Sequence, residues 1–155
     1  MDRQELTIRS GGQTGADRAA LDAAIELDLP HCGWCPKGRL AEDGRIANVY
    51  NLQETRSSSY PERTKLNVQE SDGTAIFSRL PLSAGTKLTA DLCQRLAKRV
   101  IVIEPGGSIE EAARQLRQFV QAHRIQVLNV AGPRASTNPS IYAFTKAVII
   151  AAFGS

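Results

Sequence analysis

One open, mostly parallel α/β sheet with helices on both faces, in a single domain over residues 1–155, is the architecture this sequence predicts. Three observations predict it. Apolar, β-prone runs alternate with segments of helical period along the whole chain. One of those runs, Val100-Ile101-Val102-Ile103, is apolar on both faces, as a central parallel strand is. Near the start, Ser10-Gly11-Gly12-Gln13-Thr14-Gly15 joins a strand to a helix. In that setting backbone N–H groups collect around an anion at the positive end of the helix dipole.

Leu6 to Arg9 reads as the first strand and Ala16 to Leu27 as a helix, with Ala16, Ala19, Ala20, Ala23, Ala24 and Leu27 on one stripe that brings it close to a sheet. Pro30 to Ser59 reads as a long irregular connection, rich in Gly, Pro, Asn and Ser. A helix follows, opened by a Ser59–Glu62 capping box with Pro61 in its first turn. Thr74 to Phe77 is a buried strand, and Thr86 to Lys98 a helix with Thr86 as its hydroxyl N-cap. After the Val100–Ile103 strand, Ser108 with Glu111 caps a helix to about His123. Val127 to Val130 is the last strand, and Asn138-Pro139 opens a helix that runs to about Phe153.

Composition is that of a globular protein, 42% hydrophobic and 23% charged. The net charge of +3 comes from scattered residues without a run of five like charges, which argues against a nucleic-acid or membrane surface. The longest apolar stretch, Ala147 to Phe153, is too short to span a bilayer. Asp2, Arg3, Glu5 and Arg9 stand where a secretion signal would need apolar residues, and three cysteines form no disulfide framework, so a cytoplasmic setting is expected. Cys32 and Cys35 form a C-x-x-C pair in a loop, with no second pair for zinc and no helix to activate a thiol. No metal site is expected.

Four strand ends carry small or glycine-containing turns: Gly11-Gly12, Ser83-Ala84-Gly85-Thr86, Pro105-Gly106-Gly107-Ser108 and Ala131-Gly132-Pro133. In an open α/β sheet these lie on one edge, where ligands bind at the switch in strand order. The first supplies the expected anion site, Gly11, Gly12, Gln13 and Thr14, with Gly15 at the helix start. On this reading Gly12→Val removes binding and leaves the fold largely intact. Arg18 either pairs with Asp22 one turn on or reaches an anion over the groove. Trp34, Lys37 and Gly38 sit in a glycine-flanked loop, a stacking face and a cation for a lid, though Trp34 serves equally as a core anchor. Arg63 and Asn67 share one face of the second helix. Glu104, at the end of the Val100–Ile103 strand, is either a turn-capping carboxylate or, in a hydrolase, the acid.

The segment Ser10 to Asp22 resembles the opening of the molybdenum carrier proteins, which are similar to the molybdenum cofactor carriers. Further matches follow in order: Gly33-Trp34-Cys35-Pro36-Lys37-Gly38-Arg39, Glu42-Asp43-Gly44, Tyr60 with Arg63-Thr64 and Asn67, Ser71-Asp72-Gly73-Thr74, Gly85-Thr86 with Leu88-Thr89, and Leu128-Asn129-Val130-Ala131-Gly132-Pro133-Arg134. The resemblance implies a Rossmann-like fold, a cytoplasmic homodimer or homotetramer, and a pocket for a phosphate-bearing pterin. It adds Asn129 to Ser83, Gly85, Thr86, Gly106, Gly107 and Gly132 as candidate ligand contacts. Ala84 stands where the family pattern has glycine, and Cys32 where glycine is common.

Two function classes follow. The first is a carrier that binds molybdenum cofactor, a related pterin-phosphate or oxyanion, or a phosphate-bearing nucleotide, without altering it. The alternative is a nucleotide phosphohydrolase or phosphoribohydrolase, by analogy with the lysine-decarboxylase-like phosphoribohydrolases of the same superfamily. Their motif carries a glutamate where this chain has Thr89, a hydroxyl without useful acidity. A carrier without catalytic residues is the favoured expectation.

Overall fold

The computed structural model describes residues 6–154. Its central sheet has five strands in the order β2-β1-β9-β7-β8, every neighbouring pair parallel. The strands are β1 (Thr7–Arg9), β2 (His31–Cys32), β7 (Gly73–Phe77), β8 (Arg99–Ile103) and β9 (Val127–Ala131). Between β2 and β7 lie the two-residue strands β3 (Trp34–Cys35), β4 (Leu40–Ala41), β5 (Gly44–Arg45) and β6 (Gln53–Glu54). The helices are α1 (Ala16–Glu26), α2 (Tyr60–Gln69), α3 (Ala84–Arg95), α4 (Ile109–Ala122) and α5 (Ile141–Phe153).

From β1 the chain moves outward to β2, and from β7 it moves outward the other way to β8, leaving β9 between them. Right-handed crossovers in opposite directions put α1 and α3 on opposite faces of the sheet. A crevice therefore opens at the carboxyl end of β9, between the starts of those two helices. This is the Rossmann-like arrangement that the alternation of elements predicts.

The main core joins the sheet to α1, α4 and α5 through Ile8, Phe77, Leu116, Leu128, Val130 and Ile149. The alanine stripe of α1 lies in it as expected, with Ala16, Ala20, Ala23 and Ala24 buried. On the other side α2 packs against α3 through Val68, Leu92 and Cys93. The apolar end of α5 lies in the main core too, with Val148, Ile149, Ala152 and Phe153 buried.

Several expectations are corrected. The Val100–Ile103 run is not central: β8 pairs only with β7 and forms the sheet edge, where Val100 is 41% exposed. Its apolar character comes from the flanking helices that partly cover it rather than from a strand on each side. The segment 30–59 is not structureless. Leu21, Cys35, Ile46 and Leu52 build a small second core there. Arg39, buried, holds it together by donating to the carbonyls of Ile46, Ala47, Tyr50 and Leu52.

The Ser59–Glu62 capping box does not form, because the Glu62 carboxylate accepts from the Arg56 N–H instead. Ser108 does cap α4, accepting from Glu111 N. Thr86 lies inside α3, whose N-cap is Ser83, and α5 starts at Ile141 after Ser140, with Asn138 accepting from Ser140 in the preceding turn. No helix among the described residues is long and apolar enough to cross a membrane.

Candidate functional site

A groove of about 620 Å³ occupies the crevice at the end of β9. Its floor is the β9 terminus, Asn129 to Gly132, and its walls are the starts of α1, α2 and α3 and the loop after Pro133. Of the residues singled out from sequence, it brings together Gly11, Gln13, Arg63, Asn67, Ser83, Gly85, Thr86, Asn129 and Gly132. Gly12, Thr14, Gly15, Arg18, Trp34, Lys37, Gly38, Gly106 and Gly107 do not line it. Three of the four permissive turns reach the groove, and the fourth is carried away by the edge position of β8.

At the glycine-rich turn, the protein supplies its own anion. The Asp17 carboxylate, only 7% exposed, accepts from the Gln13 N–H (3.4 Å) and from Arg63 Nη1 (2.9 Å). Gln13 Oε1 accepts from Thr14 N, and the Pro133 carbonyl from Ala16 N. Burial pushes the Asp17 carboxyl above its ordinary value, while Arg63, the Gln13 N–H and Arg18 oppose that rise.

The glycines there answer to packing. Gly12 has φ +79°, and a Cβ on it would lie 2.7 Å from Leu52 Cδ1, so Gly12→Val would not spare the fold as the sequence reading expects. Gly15, φ +83°, has the Pro133 carbonyl 2.3 Å from the position of a Cβ. A Cβ on Gly11 would fall 2.0 Å from Arg63 Nη1, so this glycine is the seat of the guanidinium.

The start of α3 is arranged differently. Ser83 makes no side-chain cap; its hydroxyl is 3.2 Å from the Thr86 hydroxyl, which donates to the Ser83 carbonyl. Among the described residues, the N–H groups of Ala84, Gly85 and Thr86 have no acceptor. A Cβ on Gly85 would meet nothing within 4 Å. This first turn faces the groove with its dipole uncompensated.

Arg63 is the main cation here. Its side chain is 14% exposed and its Nη1 is spent on Asp17. Nε is buried without a partner among the described residues. The Nε/Nη2 edge, which matches an oxyanion in two parallel hydrogen bonds, is left unused. Arg134, exposed on the same groove, lies 5.7 Å from the Tyr60 ring centroid, and Arg63 5.3 Å from it. Tyr60 thus joins two guanidiniums, and its hydroxyl accepts from Gln13 Nε2 (3.4 Å).

The other sequence candidates hold the walls. Arg18 pairs neither with Asp22 nor with the groove; it donates to the Gly12 carbonyl and, through both Nη atoms, to Asp43. Asp22 instead accepts from the hydroxyls of Tyr50 and Tyr142, and burial, with the Asp22 carboxylate beside it, pushes Tyr50 up to about 12. Asn67 spends its amide on the backbone of Trp34. The Trp34 indole donates to Glu70, outside the groove, and Lys37 is exposed in its loop. Glu104 is exposed at the sheet edge and does not line the groove.

Glu42, matched but given no role by sequence, ties the β4–β5 hairpin to the groove's lip. It accepts from the Thr14 hydroxyl and from both N and Oγ of Ser136, contacts that hold its carboxyl below the usual range. Cys32 ends β2 and Cys35 ends β3, and burial pushes both thiols up.

Asp17, Tyr60, Arg134 and Thr137 are among the groove residues that the sequence did not assign. Tyr60, Arg63, Thr64 and Asn67 recur at helical spacing, so the polar face of α2 was open to discovery. Asp17 interrupts an alanine-rich helix start, a signal without a partner in sequence because Arg63 is 46 residues away.

Among curated proteins no similar sequence was found. A solved structure, that of a protein of Syntrophus aciditrophicus named putative molybdenum carrier protein, is 48% identical. The match covers 94% of this chain and 93% of that one, with a TM-score of 0.91. The model of the circularly permutated YpsA SLOG family matches residues 8–153. The resemblance drawn from the sequence motifs is thereby borne out, and the chain belongs to the circularly permutated YpsA SLOG family.

Proposed function

We propose that this protein binds and carries a phosphate-bearing small molecule in the β9 groove, and that the ligand is of the molybdenum cofactor class. The observation that carries the proposal is the convergence, on one groove, of the open first turn of α3 and the unused edge of Arg63. Neutral donors at a helix N-terminus and a guanidinium fork are complementary to a phosphate. Asn129, Tyr60 and Thr89 offer a polar floor for a ring system beside it. The name of the Syntrophus protein supports a molybdenum-related ligand. The setting we propose is cytoplasmic, with the protein acting as a homo-oligomer.

Carriage rather than cleavage fits the groove's acid–base inventory. Its carboxylate, Asp17, is held by Arg63 and the Gln13 N–H, and Glu104 stands elsewhere. Molybdenum cofactor released from a molybdoenzyme, mixed with the protein and passed through gel filtration, tests the reading. Molybdenum should elute with the wild type in proportion to protein and fall at least tenfold with Arg63→Gln. Elution of all the molybdenum apart from folded wild-type protein would refute the molybdenum assignment. Calorimetry with AMP and GMP, which carry the same phosphate on another ring, then decides whether the site takes nucleotides.

A further inference from the structure

The floor of the groove carries a chain of hydrogen bonds that the phosphate site does not use. Asn129 on β9 and Thr74 on β7 are register partners, and Asn129 Nδ2 donates to Thr74 Oγ1 (3.2 Å). The Thr74 hydroxyl in turn donates to the sulfur of Cys93, and both of those residues are fully buried. With its one proton on the sulfur, Thr74 can only accept from Asn129. The amide is thereby fixed with Nδ2 on Thr74 and Oδ1 turned away from it. That oxygen accepts from no group among the described residues and is not sealed from solvent. Asn129 is 3% exposed and lines the groove, so its small opening gives the groove a carbonyl oxygen.

Thr86 and Thr89 line the same groove and are as deeply buried. Each has one hydroxyl proton and spends it inside α3, on the Ser83 and Gly85 carbonyls (3.0 and 3.3 Å). Toward a ligand both hydroxyls can therefore only accept. Asn67, buried there too, has both ends of its amide on the Trp34 backbone. A ring held on this floor must bring donors. Guanine and the pterins carry two adjacent donors on one edge, a lactam N–H and an exocyclic amine. Adenine carries an amine beside a bare ring nitrogen, and that nitrogen would face an acceptor unpaired.

We infer that the ligand's ring carries this 2-amino-4-oxo edge and that Asn129 is the specificity-determining residue that reads it. Thr74 is a positioning residue, which acts by fixing the Asn129 amide. The inference rests on the reading of the groove as a site for a phosphate-bearing ligand, and it names the class of ring.

Calorimetric titration of the full chain with AMP, GMP and 7,8-dihydroneopterin monophosphate, each a phosphate on a different ring, tests it. At least one of the last two should bind about tenfold or more tighter than AMP, and the tighter of them identifies the ring. Asn129→Leu, close in volume, should remove that preference through loss of affinity for the preferred ligand. Thr74→Val should erode it too, because the amide is then free to turn, whereas Thr74→Ser, which keeps the hydroxyl, should retain it. Arg63→Gln should weaken all three ligands and keep their order. AMP bound as tightly as both other ligands, or a preference that survives Asn129→Leu and Thr74→Val, would overturn the inference. Where binding still depends on Arg63, the proposed function stands. Failure of all three to bind folded wild-type protein would overturn the inference as well, and elution of molybdenum with the protein then decides the carrier reading separately.

Discussion

The starts of α1 and α3 look alike in outline, each a small-residue turn leading from a strand into a helix at the groove, yet they are built for opposite ends. At α1 the N–H groups of Gln13, Thr14 and Ala16 are bonded inside the protein, to Asp17, Gln13 and the Pro133 carbonyl. At α3 three N–H groups stay open and a Cβ added to Gly85 would meet nothing. The glycines of α1 admit other parts of the chain: Leu52 against Gly12, Pro133 against Gly15, the Arg63 guanidinium against Gly11. Glycine density in a turn reports that something approaches closely. It does not say whether that is a ligand or the protein itself.

The sharpest way to break this contrast is to add side chains to both turns. Gly12→Val combines a β-branched residue at positive φ with overlap on Leu52, and should cost about 3 kcal/mol in chemical denaturation. Gly85→Ala should leave stability unchanged or raise it by about 0.5–1 kcal/mol, while its methyl group weakens phosphate-ligand binding. Equal destabilisation by the two changes would remove the distinction.

A second variant asks whether Asp17 is the internal anion of the α1 turn. Asp17→Asn keeps the shape and loses the charge beside Arg63; because burial outweighs that pairing at the Asp17 carboxyl, stability near neutral pH should be equal to or above that of wild type. The same change should tighten AMP binding several-fold in calorimetry, because a carboxylate leaves the groove. Weaker binding in this variant would make Asp17 a ligand contact instead. The stabilities of Asp17→Asn and wild type should also diverge with pH. Burial raises the folded carboxyl above its unfolded value, so the neutral form favours the fold, and that contribution is fully present below the unfolded value. It is lost as pH rises through the folded value.

How much of this was legible follows from the range of the interactions. The α1 stripe and the strands Thr74–Phe77 and Val127–Val130 were readable because each announces itself in consecutive or periodic residues. The edge position of β8 was not, since Val100 to Ile103 carries the same apolar run a central strand would. The hairpin and short strands of 31–54 were hidden because they rest on Arg39, Asn67 and Glu42, whose partners are set by tertiary approach. Arg63 and Asn67 were found from helical spacing, yet only the structure separates their tasks, one with an unused edge and one with its amide fully spent.

The smallest expected effect concerns the wall outside the groove. His31 Nε2 accepts from the Asn51 N–H (3.0 Å), and burial holds the imidazole below its usual value. Its contribution to stability is present above the unfolded value of about 6.5 and is lost as pH falls through the folded one. Denaturation midpoints from about pH 8 to about pH 5 should therefore drop further for wild type than for His31→Gln, which keeps an acceptor without titrating. Parallel curves would refute it.

The central claim, that the open first turn of α3 holds the ligand's phosphate, is tested most directly by amide resonances. In a nitrogen–proton correlation spectrum titrated with AMP or GMP, Ala84, Gly85 and Thr86 should show the largest shifts, with the Arg63 Nε–H signal moving in step. The N–H groups of Gln13 and Thr14, already bonded within the protein, should move little. Saturable shifts confined to Gln13 and Thr14, with Ala84 to Thr86 unmoved, would contradict the account.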